Sequence, residues 1–242
     1  MKPAWAVILA SALIGALAAC SPQGQDAAEG PPIAAKRMPL PDCADVALDS
    51  GAAPDCRIQS TDKAGLAFEA RRSEEGGVTT ETIAVVGPGD ATLQTIEESV
   101  EASVAPPHLE DIDADGRDEL MIPLSTGNVN TTFAVWRSVG DEAAFARLGE
   151  LSGVSFSATE DGALAVASRS SASEWVVEYY RINGETLNAL ARAVVAAEAV
   201  DGAAMKTTCV AEDAGAMTAL DLTPDEVQTK YCEDPAALNI FE

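Results

Sequence analysis

Two apolar patterns organise this chain of 242 residues. The first is one unbroken run at residues 4–17, nearly uncharged, preceded by Lys2 and followed by the small residues Ala18 and Ala19. Its length suits the apolar core of a signal peptide and falls short of the roughly 20 residues that span a bilayer. The second is a series of short segments rich in Val, Ile, Thr and aromatics, at 64–71, 78–86, 119–124, 131–139, 163–170 and 174–182. Alternating or short apolar segments of this length are strands, and Gly76-Gly77, Asp161-Gly162 and Asn183-Gly184 punctuate them as turns. Asn-Gly favours a type I′ hairpin, so 174–182 is expected to pair antiparallel with the segment that starts at Glu185. That segment is ambiguous as far as about residue 200. Leu187, Leu190, Ala191, Val194 and Val195 share one face of a helix, whereas the hairpin turn before them favours strand for the first half. Thr223-Pro224-Asp225-Glu226 supplies an N-cap, a proline at the first helical position and a capping-box glutamate, which predicts a short helix over 224–231. The expected fold is mainly β: a single antiparallel sheet or sandwich-like domain with a short C-terminal helix.

Residues 21–40 carry few large apolar side chains and much Pro, Gly, Gln and Ala. This is the composition of a tether, and twenty extended residues reach at most about 70 Å. The domain plan is therefore a signal peptide at 1–19, a cysteine and flexible tether at 20–40, and a β-rich domain at 41–242 whose C-terminal end is a disulfide-bonded appendage. The chain carries 39 acidic against 15 basic residues, a net charge of −24. Removing 1–19 takes away Lys2 and no acid. Such a chain will not bind nucleic acid through its phosphates, and it favours cationic partners, divalent metal or simple solubility.

Leu17-Ala18-Ala19-Cys20 resembles the lipobox of bacterial lipoproteins. The resemblance implies that Cys20 is lipidated, becomes the first residue of the mature chain, and holds the domain on a membrane; Ser21, rather than Asp, after it implies the outer membrane. Each buried CH2 of an acyl chain adds about 0.8 kcal/mol, so several chains on one cysteine make a stable anchor. Cys43, Cys56, Cys209 and Cys232 remain. An even number in an exported chain points to disulfides, with three connectivities open. Local pairs, Cys43 with Cys56 and Cys209 with Cys232, close the shortest loops at least entropic cost. A zinc site competes poorly, since there is no C-x-x-C and His108 lies far from either pair.

The stretch from Asp111 to Glu119, DIDADGRDE, carries specific chemistry. Carboxylates at positions 1, 3 and 5 (Asp111, Asp113, Asp115) can turn inward together, Gly116 permits the sharp bend, the backbone carbonyl of Arg117 can add an oxygen, and Glu119 can complete the shell. A hard cation that takes 6 to 8 oxygens matches this set, and calcium is the expected cofactor. Ile122 at position 12 excludes an EF-hand. Five acids converging here would repel one another unless a cation joined them. The bland alternative is a solvated acidic turn.

The loop leads into a strand, a Gly/Asn loop and an aromatic strand with Trp136. This succession is similar to FG-GAP or VCBS calcium repeats, and resembles more closely the calcium-binding periplasmic β-proteins related to the inhibitors of invertebrate-type lysozyme, some of which act as immunity proteins. A β-propeller would need further copies of the loop, and none appears. The resemblance implies a non-enzymatic inhibitor, whose partner is a cationic lysozyme-like hydrolase. By position, Ser125, Thr126, Gly127, Asn128 and Asn130 would be the partner-binding loop, although the tyrosine of those inhibitors' loops is missing from it. A structural envelope lipoprotein is the alternative, and a hydrolase using the loop's metal a third. His108 follows Pro106-Pro107 on an expected loop with no hydrolase motif beside it. Glu74-Glu75 and Glu97-Glu98 read as solvated faces, and Trp136, Trp175, Tyr179 and Tyr180 as core or rim packing.

Overall fold

The alternating segments fold as three antiparallel meanders, each built from strands consecutive in the chain. The computed structural model describes residues 39–46, 55–61, 63–140, 144–200 and 204–241, for residues 204 and 205 the backbone alone. The expected signal peptide at 1–19, Cys20 and the tether as far as residue 38 lie outside the described residues. The first sheet comprises β1 (Cys56–Gln59), β2 (Ala67–Glu75), β3 (Val78–Val86) and β4 (Thr92–Val100). The second comprises β5 (His108–Glu110), β6 (Glu119–Thr126), β7 (Thr131–Ser138) and β8 (Phe145–Gly153). The third holds β9 (Ser155–Ala158), β10 (Leu164–Arg169), β11 (Glu174–Asn183), β12 (Thr186–Val200) and β13 (Ala204–Asp213), in the order β13-β12-β11-β10-β9. Three short helices follow: α1 (Ala216–Leu220), α2 (Pro224–Cys232) and α3 (Pro235–Leu238). The fold is mainly β, and of the two expected forms the sandwich-like one holds, with three sheets in place of one.

The second sheet is covered on both faces. Leu120 and Ile122 of β6 pack with Phe68, Ile83 and Ile96 of the first sheet. Met121 between them packs with Leu164 and Val166 of the third. A strand buried on two sides loses the polar-apolar alternation, which is why residues 120–122 read as a continuous apolar run. Each fully buried Leu, Ile or Phe contributes about 1.5–3 kcal/mol, so these two interfaces hold the layers together. The outer face of the third sheet is covered in turn by the helices. Ala163, Ala165, Ala167, Ala191 and Ala193 lie beneath Val227 and Tyr231 of α2. These alanines leave room for the helix to approach the sheet. Thr223 caps α2 with the full capping box. The C-terminal segment thus covers the third sheet.

Both disulfides take the local pairing. Cys43–Cys56 has a Cα–Cα distance of 4.9 Å and ties a 3-10 turn (Cys43–Asp45) to β1. Cys209–Cys232, at 5.7 Å, ties β13 to the end of α2. Side-chain amides stitch neighbouring elements as well. Gln94 of β4 accepts from the Phe145 N–H at 2.7 Å and donates to the Phe145 carbonyl at 2.8 Å. Asn130 does the same for Arg169, at 2.9 and 3.1 Å. Gln228 of α2 accepts from Ala211 N–H and donates to the Cys209 carbonyl, so it occupies part of the open edge of β13.

Residues 186–200 are strand throughout, and the helical half of the ambiguity falls away. Tyr179 pairs with Ala191 and Tyr180 with Ala189, so Leu190 is an extra residue that bulges out of the ladder. A bulge breaks the two-residue period. It places Leu190 and Ala191 together in the helix-facing core, which reproduces the spacing of a helical stripe.

Candidate metal centre

The acidic loop closes the β5–β6 hairpin. Glu110 and Glu119 are the last paired residues, and 111–118 form the connection between them. Backbone N–H groups curl the loop inward. Those of Asp115 and Gly116 donate to the two carboxylate oxygens of Asp111, at 3.0 and 2.9 Å. Asp115 N–H is shared with Asp113 Oδ1 at 3.3 Å, and Arg117 N–H donates to Asp115 Oδ1 at 2.8 Å. The bend places Ala114 at φ 57° and Gly116 at φ 86°, left-handed values that only glycine adopts without strain. Ile112, fully buried, anchors the loop in the core shared with Met121 and Val135.

Carboxylate oxygens of Asp111, Asp113 and Asp115 consequently lie within 4.8 Å of one another, a grouping that can hold a metal ion. Glu119 is outside that grouping of three, with Oε1 3.8 Å from Arg137 Nε and its side chain 1% exposed. Its Oε2 accepts from Ile112 N–H at 3.2 Å, while Oε1 is buried without a hydrogen-bond partner. Burial, reinforced by the charge of Asp113, pushes the Glu119 carboxyl up to about 8 against the opposing pull of Arg137. A buried carboxylate oxygen with no donor is costly in a folded protein. An ion held by oxygen ligands would satisfy it, so the residues present fit a hard cation. Asp111, Asp113, Asp115 and Glu119 would supply side-chain oxygens and Arg117 its carbonyl.

Three of the five acids converge, and Asp118 and Glu119 are not among them. Asp118 turns away to accept from the Ser60 hydroxyl at 3.1 Å. A basic residue not foreseen from the sequence takes part instead. Arg137 of β7 donates to Asp113 Oδ2 at 2.6 Å and to Asp115 Oδ2, and its Nε lies 3.8 Å from Glu119 Oε1. Although burial disfavours its charge, the hydrogen bond and charge of Asp113, with Glu119 and Asp115 behind it, raise the guanidinium above its ordinary value. The chain thus supplies one positive charge of its own to the acidic loop. Beside the loop a groove of about 700 Å³ is lined by Asp115, Arg117, Arg137, Gly140, Gly184 and Glu185.

The expected partner loop is elsewhere. Ser125 and Thr126 end β6, and Gly127, Asn128 and Asn130 form the turn to β7, at the opposite end of β6 from the acidic loop, about 23 Å away at 3.3 Å per residue. Thr126, Gly127 and Asn128 are exposed, whereas Asn130 is committed to Arg169. His108 lies on strand β5, not on a loop, 3.5 Å from Glu110 and edge-on to Phe133. Glu98 is another correction. It accepts from Trp136 Nε1–H at 2.8 Å and pairs with Arg147, so it is part of the packing between sheets.

No protein-family model and no curated protein matches the chain. Among solved structures it is similar to a Xanthomonas type IV secretion system related protein, with a TM-score of 0.43 and 15% identity over 73% of this chain and 99% of the other. That likeness is too slight to assign anything to this chain.

Two formed disulfides are the mark of an extracytoplasmic protein. Among the described residues, no helix is long and apolar enough to cross a membrane.

Proposed function

We propose that this chain is an exported, calcium-binding lipoprotein that acts by binding a protein partner and performs no catalysis of its own. The observation that carries the reading is the convergence of Asp111, Asp113 and Asp115 around Arg137, whose guanidinium also faces a buried Glu119 oxygen that no donor satisfies. Calcium, when bound, would cross-link the β5–β6 hairpin through oxygen ligands. Ile112 and Glu119 then tie that loop to the core between the second and third sheets, so that metal loading stiffens the scaffold. The partner that suits a net charge of −24 is cationic, and a lysozyme-like cell-wall hydrolase is the class proposed. Lipidation at Cys20 would place the domain at the outer membrane, on the periplasmic or outer surface.

The test uses the soluble Cys20→Ser chain from residue 20, loaded with calcium and mixed with cationic lysozymes. A sedimenting complex with loss of muramidase activity supports the inhibitor reading. No complex with any lysozyme class removes it in favour of a structural envelope lipoprotein. That second reading has an observation of its own: Asn130 spends its amide on the Arg169 backbone, which leaves little recognition chemistry in the 125–130 turn.

A further inference from the structure

The oxygens of Asp113 and Asp115 are all taken by donors of the chain itself. Each Oδ1 accepts a backbone N–H, and each Oδ2 accepts from Arg137. The guanidinium also faces Glu119 Oε1, but at 3.8 Å it is beyond hydrogen-bond reach. Arg137 therefore compensates the charge of the loop without satisfying its deepest oxygen. Its backbone is fixed in β7, one step along the ladder from the pair of Leu120 with Trp136, so only the side chain is free to leave. Room lies next to it, in the groove that carries the exposed carboxylate of Glu185 on its wall.

We propose that Arg137 is an internal counter-cation that competes with calcium for the acidic loop, holding the loop charge-compensated in the metal-free protein and yielding Asp113 and Asp115 when the ion loads. This rests on the calcium reading above and adds to it a residue that sets the affinity. Two like charges cannot share the same oxygens at little cost. A guanidinium on these carboxylates lowers the affinity of the site, which suits a domain bathed in millimolar extracellular calcium better than a tight cytosolic-type site. A scaffolding arginine would do the opposite, since it would present the carboxylates to the ion and its removal would weaken binding.

The two roles separate in one experiment. Calcium titration calorimetry and thermal melts in chelator are carried out on the wild type, Arg137→Gln, Arg137→Met and the charge-keeping Arg137→Lys. The expected result is a lower melting temperature in chelator for Arg137→Gln and Arg137→Met, together with calcium binding about tenfold tighter, the Coulomb term being discounted for partial exposure. Arg137→Lys should stay near the wild-type affinity. Calcium heat in the wild type with equal or weaker binding in the Gln and Met variants overturns this inference alone. No calcium heat in any of the four proteins overturns the calcium reading and this inference with it. Should Gln and Met both fail to fold, Arg137→Lys decides: unchanged affinity supports the counter-charge role, and a large loss of affinity overturns it.

Discussion

Glu119 couples the loop to the core, and its burial makes the metal-free protein sensitive to pH. In the folded chain its carboxyl titrates near 8, well above the ordinary 4.5. The native state therefore keeps a proton that the unfolded chain gives up. This group's contribution is most favourable below pH 4.5, declines as pH rises from there to about 8, and is level beyond. At roughly 1.4 kcal/mol per pH unit the loss amounts to a few kcal/mol. Urea unfolding in chelator should show stability falling over pH 5–8 in the wild type and falling less in Glu119→Gln; equal slopes would contradict the assignment. At this scale the sequence was informative about the convergence of Asp111, Asp113 and Asp115 and the bend at Gly116, because these lie in a local spacing. It was silent about Arg137. That contact depends on a ladder register which brings residues eighteen apart face to face, and no local pattern encodes it.

Turns with strong chemistry placed several elements correctly. Gly76-Gly77 separates β2 from β3, whereas β11 and β12 are joined by Gly184-Glu185, one residue later than the expected Asn-Gly turn, with Asn183 paired to Thr186 in the ladder. Other strands went unread even where a turn marks them, as Gly87-Pro88-Gly89-Asp90 does before β4. In β4, TLQTIEESV, only Ile96 and Val100 are buried, and its polar positions hide the alternation. β8 is interrupted by Gly149 at φ 154°, beside a register shift opposite Val135 and Trp136. In β12 the bulge at Leu190 gives a strand the spacing of a helix. The amide stitches are element-scale features too, since each satisfies two backbone groups of another element. Replacing Gln94 with Leu should leave the Phe145 N–H and carbonyl without these partners and cost about 1–3 kcal/mol. Chemical denaturation of Gln94→Leu and Asn130→Leu checks this, and a loss under 0.5 kcal/mol in both would mean that water replaces the stitches.

For the whole molecule, layering explains the composition. A chain so rich in alanine and poor in aromatics buries three sheets and a helical cover, with Ala at the close approach of helix to sheet and Leu, Ile and Val between the sheets. The number of sheets was not legible, because it depends on which strands pair, and that is decided by long-range packing. The disulfides were legible from count and spacing. Cys209–Cys232 closes 23 residues and holds the helical cover on β13. Replacing both cysteines with Ser should lower stability by about 2–4 kcal/mol and open α2 to proteolysis before the rest. Retention of α2 under limited proteolysis would show that the alanine-faced packing suffices alone.

The loop and the layers meet in a single measurement: a thermal melt in chelator and in millimolar calcium. A ligand that binds only the folded state stabilises it by RT ln(1 + [L]/Kd), about 2.7 kcal/mol at one hundred times Kd. The wild type should gain that increment. Asp113→Ala, which removes one of the converging carboxylates, should lose most of it, and Asp225→Asn on the exposed start of α2 should keep it. A wild-type midpoint that is the same in chelator and in calcium would contradict the metal centre and leave an acidic turn neutralised by Arg137.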